Sequence, residues 1–163
     1  MRASLSITMS GLPGKMASLV AETIKKKENG FYLKGDALTG LNQPKNCKIS
    51  NYEINLIPPE QHQEYLSLLN KDIDRSIEVP IIVDFSQPDA INKNAELYCK
   101  YNIPFVMGTT GGDREVLERV VEESGNKAVI APNMAKPIVL LQSMCEYASK
   151  NFPNAFEGFE MAI

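Results

Sequence analysis

Glycine and lysine in one short stretch offer the first chemistry in this chain. Residues 8–17, TMSGLPGKMA, place Gly11 and Gly14 between an alternating apolar run and a helical pattern, with Lys15 directly after. The first N–H groups of a helix have no internal partner and sit at the positive end of its dipole. A strand, a glycine turn and a helix start therefore make an anion site. Glycine lets a backbone approach a pyrophosphate closely, and Lys15 adds a full positive charge. The dinucleotide fingerprint G-x-G-x-x-G is met only in part. Pro13 takes the middle glycine's place and has no N–H to donate. Ala17 takes the last one's, where a small side chain still allows close helix–strand packing. A plain tight turn is the alternative reading of the stretch.

Other reactive types are sparse. The one histidine, His62, lies in the polar segment PPEQHQEYL and reads as a solvated helix residue, which leaves little for histidine acid–base chemistry. Cys47, Cys99 and Cys145 are far apart and form no C-x-x-C, so they read as small apolar side chains in a reducing compartment, with no metal site. A net charge of −3 argues against a nucleic-acid binder or a polybasic membrane anchor. No apolar run approaches a membrane span, and no signal peptide is evident. The 163 residues suit one domain with a real core.

The elements that must position the loop can be read from periodicity. Residues 5–9 read as a first strand. Residues 15–27 read as a helix with Met16, Leu19, Val20 and Ile24 on one stripe, stopped by Asn29-Gly30. Residues 31–38 read as a second strand. Near its end stands Asp36, about the distance at which an acid bonds the adenine ribose in dinucleotide folds. Lys34 beside it would instead favour a phosphate, and a bare surface Asp is the third option. Residues 41–48 are turn-like, and residues 49–57 form a strand or hairpin. A helix over residues 60–70 carries Tyr65, Leu68 and Leu69, with a charged loop after it over residues 71–78.

Residues 80–85, PIIVDF, read as a buried strand. SQPD, residues 86–89, caps a helix that runs to residue 101 with Ile91, Ala95 and Tyr98 inward. Residues 104–107 form the next strand, running straight into GTTGGD, residues 108–113. A helix to residue 123 has Val116, Leu117, Val120 and Val121 on one face. A strand over residues 127–131 leads into PNMAK, and a last helix, residues 137–151, buries Ile138, Leu141, Cys145 and Ala148. GFEMAI, residues 158–163, reads as a closing strand.

Strand–helix alternation means an α/β fold: a Rossmann-like, doubly wound parallel sheet with helices on both faces. Right-handed crossovers put every strand's C-terminal end on one edge, where ligands bind. The loops on that edge are residues 11–14, 86–87, 108–112 and 132–136. The three glycines and two threonines of GTTGG suit close approach to a ribose or an amide. Asn133 offers an amide that donates and accepts, for a carboxamide or as a cap for the last helix. Turns that any α/β protein has are the bland reading.

SGLPGKM, VDFSQPDA, VMGTTGGDRE and IAPNMA, in this order and at these separations, resemble the 4-hydroxy-tetrahydrodipicolinate (dihydrodipicolinate) reductase family. NAELYCKYNIPFVMGTTGGDREVLE is most similar to its plant-type branch. The resemblance implies reduction of a cyclic lysine-pathway intermediate to tetrahydrodipicolinate with NADPH or NADH. It implies a pyrophosphate loop at Gly11, Leu12, Pro13, Gly14, Lys15 and Met16. Gly108, Thr109 and Thr110 would lie beside the nicotinamide ribose, and Ala131, Pro132, Asn133 and Met134 beside the nicotinamide ring. Asp36 loosely matches the ribose acid of some members. The chain departs from the family at Ala17, where a third glycine is usual, and near Ala135 and Pro137.

The resemblance places residues 1–157 in the dinucleotide-binding domain and residues 158–163 at the start of a substrate domain. The family's catalytic His/Lys motif would come after Ile163, so these residues hold no catalytic group and are expected to turn over little alone. The partners implied are a small-molecule substrate and a homo-oligomer in the full-length form, with no nucleic acid and no membrane, in the cytoplasm or, for a plant protein, the plastid stroma. A non-catalytic nucleotide-binding or interaction module derived from the reductase is the alternative.

Overall fold

A computed structural model describes residues 4–26, 30–71, 78–131 and 133–155. It divides into two compact units, one up to Pro132 and one from Asn133.

The first unit is built on β1 (Ser4–Ser10), which pairs in parallel with β6 (Glu78–Asp84) over seven positions, Ser4↔Glu78 to Ser10↔Asp84. Alternation along β1 sends Ile7 and Met9 to one face and Ser6, Thr8 and Ser10 to the other, all of them buried. The apolar face takes α1 (Lys15–Lys26). The contact on this helix runs through Ala17 and Ala21, each 0% exposed, with Val20 and Ile24 beside them. Met16 and Leu19, expected inward, are more than half exposed. The small side chains bring the helix axis close to the sheet and turn the inward stripe by one position. Lys27 lies outside the described residues.

The expected second strand is two: β2 (Phe31–Leu33) pairs with the start of β1, and β3 (Asp36–Leu38) touches β1 only at Ser10↔Leu38. Lys34 and Gly35 interrupt the strand between them. The hairpin alternative for residues 49–57 holds. β4 (Asn46–Ile49) turns at Ser50, φ 54°, into β5 (Tyr52–Ile57), and this is the sheet's antiparallel pair. β4 therefore begins inside the segment expected to be turn-like.

A 3₁₀ turn (Pro59–Gln61) leads into α2 (His62–Lys71), which buries His62, Leu66 and Leu69, whereas Leu68 is exposed. Residues 72–77 of the expected charged loop lie outside the described residues. α3 (Ile91–Lys100) starts later than expected: residues 88–90 form a turn, and its N-cap, Ala90, makes no side-chain cap. Ile91, Ala95 and Tyr98 are buried as expected. β7 (Phe105–Met107) continues the sheet. α4 (Arg114–Ser124) is capped by Asp113, which accepts from Val116 N–H at 3.1 Å, and it ends on Gly125 at φ 65°. Leu117 is buried on its inner face, with Val120 and Val121 packed beside it. β8 (Ala128–Ile130) closes the unit.

The strand order is β4-β5-β3-β1-β6-β7-β8, with β2 also on β1. Apart from the β4 hairpin the sheet is parallel and doubly wound. Its order reverses between β1 and β6, the place where such sheets open a crevice. One core, around Ile82, Tyr98, Phe105 and Met107, fills the α2–α4 side. The other, around Ile7, Met9 and Ile54, fills the α1 side. Each fully buried Ile or Phe contributes roughly 1.5–3 kcal/mol.

The second unit holds α5 (Lys136–Asn151), with Pro137 in its first turn. None of its residues is buried, so the expected burial of Ile138, Leu141, Cys145 and Ala148 is not met. Ile138, Cys145 and Ala148 are half-buried and Leu141 is exposed; with Leu140, Met144 and Tyr147 they share one apolar face of the helix, which this unit on its own does not bury. The closing strand expected over residues 158–163 lies outside the described residues.

Candidate functional site

At the β1–β6 reversal Gly11 takes φ 102°. A Cβ there would lie 2.4 Å from the Phe85 carbonyl oxygen, so this position requires glycine for both dihedral and space. Gly11 N–H donates to Leu38 O at 2.9 Å, and Gly14 N–H donates to Gly11 O at 2.8 Å. A Cβ on Gly14 would meet Gly11 O at 2.7 Å. The first helical bond runs from Ser18 N–H to Gly14 O, so the N–H groups of Lys15, Met16 and Ala17 have no intrahelical acceptor. Pro13, Gly14, Lys15 and Met16 are exposed around them, while Leu12 is buried and anchors the turn. The geometry is that of an anion cradle: a helix start with free donors and a cation beside it.

On the β3 side, Thr39 ties the cradle down. Its hydroxyl donates to Leu12 O at 2.5 Å and its N–H to Ile57 O at 3.0 Å. Beneath it is His62, 7% exposed, with Nε2 bonded to Ile57 O at 3.0 Å. The expected solvated histidine is thus a buried one. The Pro58-Pro59 turn swings the start of α2 under the sheet edge, and the ring satisfies a strand-end carbonyl there. Burial pushes its pKa down; hydrogen bonds to the Ile57 and Thr39 backbone and the charges of Asp84 and Glu60 pull the other way.

Asp36 opens β3 instead of closing it, two residues short of the sheet edge, and accepts from Asn55 Nδ2 at 3.0 Å. Lys34 turns to Glu78 at 3.1 Å, at the opposite, N-terminal end of β6. The interruption at Lys34–Gly35 moves both off the edge. Beyond β3 the edge carries the loop from Thr39 to Lys45, which holds no acid. The Lys45 carbonyl, just before β4, accepts from Leu56 N–H at 2.8 Å, beside the end of β5.

On the β6–β7 side, Gly108 N–H donates to Asp84 O at 2.9 Å. Gly111 and Gly112 have φ of 106° and 70°, and a Cβ on either would lie 2.8 Å from Pro88 or Asn92. The Asn92 amide pairs with the Asp113 backbone in both directions, at 2.8 Å each. The GTTGG loop is therefore fastened to the start of α3, with Thr109 half-buried and Thr110 exposed. Sequence reasoning missed the group beneath it. Asp84 is 0% exposed and gathers Ser86 N–H (2.8 Å), Asn94 Nδ2 (3.0 Å) and Tyr98 OH (2.6 Å), with Thr109 Oγ1 further off at 3.4 Å. An acid inside the apolar run IIVDF was the available signal. Burial and then the Asp84 charge raise the Tyr98 pKa well above its usual value.

Ala131 N–H donates to Met107 O at 2.9 Å, so this residue continues β8 at the edge. Pro132 lies outside the described residues. Asn133 and Met134 belong to the second unit and are exposed. Among the described residues no three His, Cys, Asp or Glu side chains gather as a metal would require, and no helix is long and apolar enough to cross a membrane.

A doubly wound sheet with a glycine cradle at its strand-order reversal defines a Rossmann-type domain. A family model described as "Dihydrodipicolinate reductase, N-terminus" matches residues 5–134. The chain belongs to the dihydrodipicolinate reductase family and corresponds to its N-terminal part. It is 35% identical over 163 residues to a probable chloroplastic 4-hydroxy-tetrahydrodipicolinate reductase 2 of Oryza sativa subsp. japonica, covering 99% of this chain and 48% of that protein. It is 35% identical over 160 residues to the chloroplastic 4-hydroxy-tetrahydrodipicolinate reductase 2 of Arabidopsis thaliana, covering 98% and 44%. The chain thus spans about half the length of these plant relatives. A dipicolinate-bound dihydrodipicolinate reductase from Paenisporosarcina sp. TG-14 shares the fold with a TM-score of 0.67 at 22% identity, covering 94% of this chain and 56% of that one.

Proposed function

We propose that this chain is the cofactor-binding part of an NAD(P)H-dependent reductase that converts 4-hydroxy-tetrahydrodipicolinate to tetrahydrodipicolinate. The observation that carries the reading is the cradle at Gly11, where the β6 end of the sheet leaves no room for a Cβ and three α1 N–H groups lack an intrahelical acceptor. Membership of a reductase family gives the anion its identity, a nicotinamide dinucleotide whose pyrophosphate the cradle takes. When bound, that group supplies the hydride.

The chain's own residues divide the task. Gly11, Leu12, Pro13, Gly14, Lys15 and Met16 form the pyrophosphate turn, with Lys15 adding charge. The adenine ribose falls to the Thr39–Lys45 loop in place of Asp36, whose carboxylate is held by Asn55. With a lysine and no acid there, the loop favours a ribose phosphate, hence NADPH over NADH. Gly108, Thr109 and Thr110 form the wall on the nicotinamide side, with Ala131 on the next strand. The roles of Pro132, Asn133 and Met134 beside the ring rest on the sequence resemblance. The division into a nucleotide domain over residues 1–157 and a substrate domain from residue 158 also rests on it. The substrate is a small molecule and the full-length form a homo-oligomer, in the cytoplasm or, as the names of the plant relatives suggest, the plastid.

Calorimetric titration with NADPH and NADH, with a turnover assay of a chain extended by a family substrate domain, tests the reading. Saturable binding together with turnover in the extended chain supports it. Binding without turnover would favour a non-catalytic nucleotide module, and absence of binding would overturn both.

A further inference from the structure

Asp84 is the one carboxylate buried at 0% exposure among the described residues, and no lysine or arginine there answers its charge. It lies at the last position of β6, where the sheet order reverses. A buried charge without a counterion persists only where donors saturate it. Here both oxygens are met. Oδ1 accepts from Ser86 N–H and, at longer range, Thr109 Oγ1–H; Oδ2 accepts from Asn94 Nδ2 and Tyr98 OH. Backbone and amide N–H groups can only donate, so the arrangement is built for the carboxylate.

Ser86 and Thr109 begin the two loops that leave β6 and β7 on the ligand edge. Their orientation is inherited from Asp84. Asn94 Nδ2 also donates to Ser86 Oγ at 3.1 Å, which leaves the Ser86 proton free to point outward. Thr109 Oγ1 faces Asp84 at long range, 3.4 Å from Oδ1 and 3.5 Å from the backbone oxygen, an arrangement that turns its proton inward and its lone pairs outward. One carboxylate thus sets a donor on one loop and an acceptor on the next.

We propose that Asp84 is the positioning residue for the nicotinamide half of the dinucleotide, acting through Ser86 and Thr109, a role that rests on the nucleotide reading above. Asp84 then has an effect that a purely structural residue lacks. A fixed negative charge on the nicotinamide side of the reversal favours the ring in its cationic, oxidised form over the neutral, reduced one. The Asp84 charge is also felt at His62 beneath Thr39, but the adenine half would bind at the Thr39–Lys45 loop without touching Ser86 or Thr109, so its affinity is expected to change least.

The test compares NADP+, NADPH and 2′,5′-ADP binding to the chain and to Asp84→Asn by calorimetry. Asparagine keeps the shape but removes the charge and turns an amide donor toward the donors now in place. The expected result is a loss of about tenfold or more for NADP+, a smaller loss for NADPH and the least change for 2′,5′-ADP. Equal loss for all three ligands, or no loss for any, overturns the proposal. Failure of the unsubstituted chain to bind any of them overturns the nucleotide reading instead. Should Asp84→Asn not fold, Thr109→Val and Ser86→Ala decide. Each should weaken NADPH several-fold and leave 2′,5′-ADP untouched, and unchanged NADPH affinity in both would sink the idea.

Discussion

The two sides of the β1–β6 reversal hold their loops in different ways. On the β3 side the Gly11 turn is held mainly by backbone: Gly11 N–H to Leu38 O, Gly14 N–H to Gly11 O, and Thr39 as a single side-chain strut to Leu12 O. Its α1 N–H groups stay available. On the β6–β7 side the loops are held by side chains, through Asp84 and the Asn92–Asp113 pair, and what they offer outward is hydroxyl groups. The first arrangement recognises charge by dipole and N–H groups, whereas the second presents a fixed pattern of polar atoms. A dinucleotide needs both, since its pyrophosphate is an anion and its nicotinamide half is a shaped, uncharged or cationic group.

The largest break in that comparison is Gly11→Ala. The Cβ meets the Phe85 carbonyl and φ 102° strains alanine, so a loss of about 3 kcal/mol or more is expected by chemical denaturation, with nucleotide binding abolished. Next is Thr39→Val, which keeps shape but strips the donor from buried Leu12 O. It should cost about 1–2 kcal/mol and loosen the cradle, leaving the Asp84 side intact by amide exchange.

A third test probes the β3 side by pH. His62 has a folded pKa below its free value of 6.5, so the unfolded chain binds its proton first. Its share of stability is complete above pH 6.5 and is lost as pH falls from there toward the lowered folded value. The difference in stability between the chain and His62→Gln, measured from about pH 8 to about pH 5, should shrink across that window; a flat difference would place the ring in water. The smallest effect is Lys45→Ala, expected to weaken NADPH about two- to fivefold and leave NADH unchanged.

Much of this architecture is written locally. The Gly11 turn is legible because an alternating strand and a helical pattern flank it, and Asp113 and Gly125 bound α4 by the usual capping chemistry. What escaped depends on distant contacts. His62 sits among polar neighbours, and only the packing of α2 under Ile57 reveals that it is buried. Asp36 stands at a plausible distance from the cradle, but the interruption at Lys34–Gly35 shifts it from the end of a strand to its start. The inward stripe of α1 runs through alanines because the helix lies close to the sheet, and hydrophobic size pointed to Met16 and Leu19 instead. Asp84 reads as the end of an apolar strand until the four donors around it are seen together.

The most direct test of the central claim is titration of the 163-residue chain with NADPH by calorimetry, alongside Gly11→Ala as the broken cradle. Saturable one-to-one binding that vanishes in Gly11→Ala is the predicted result. Absence of binding at millimolar nucleotide, or binding that survives the substitution, would contradict the assignment of the cradle as the dinucleotide site.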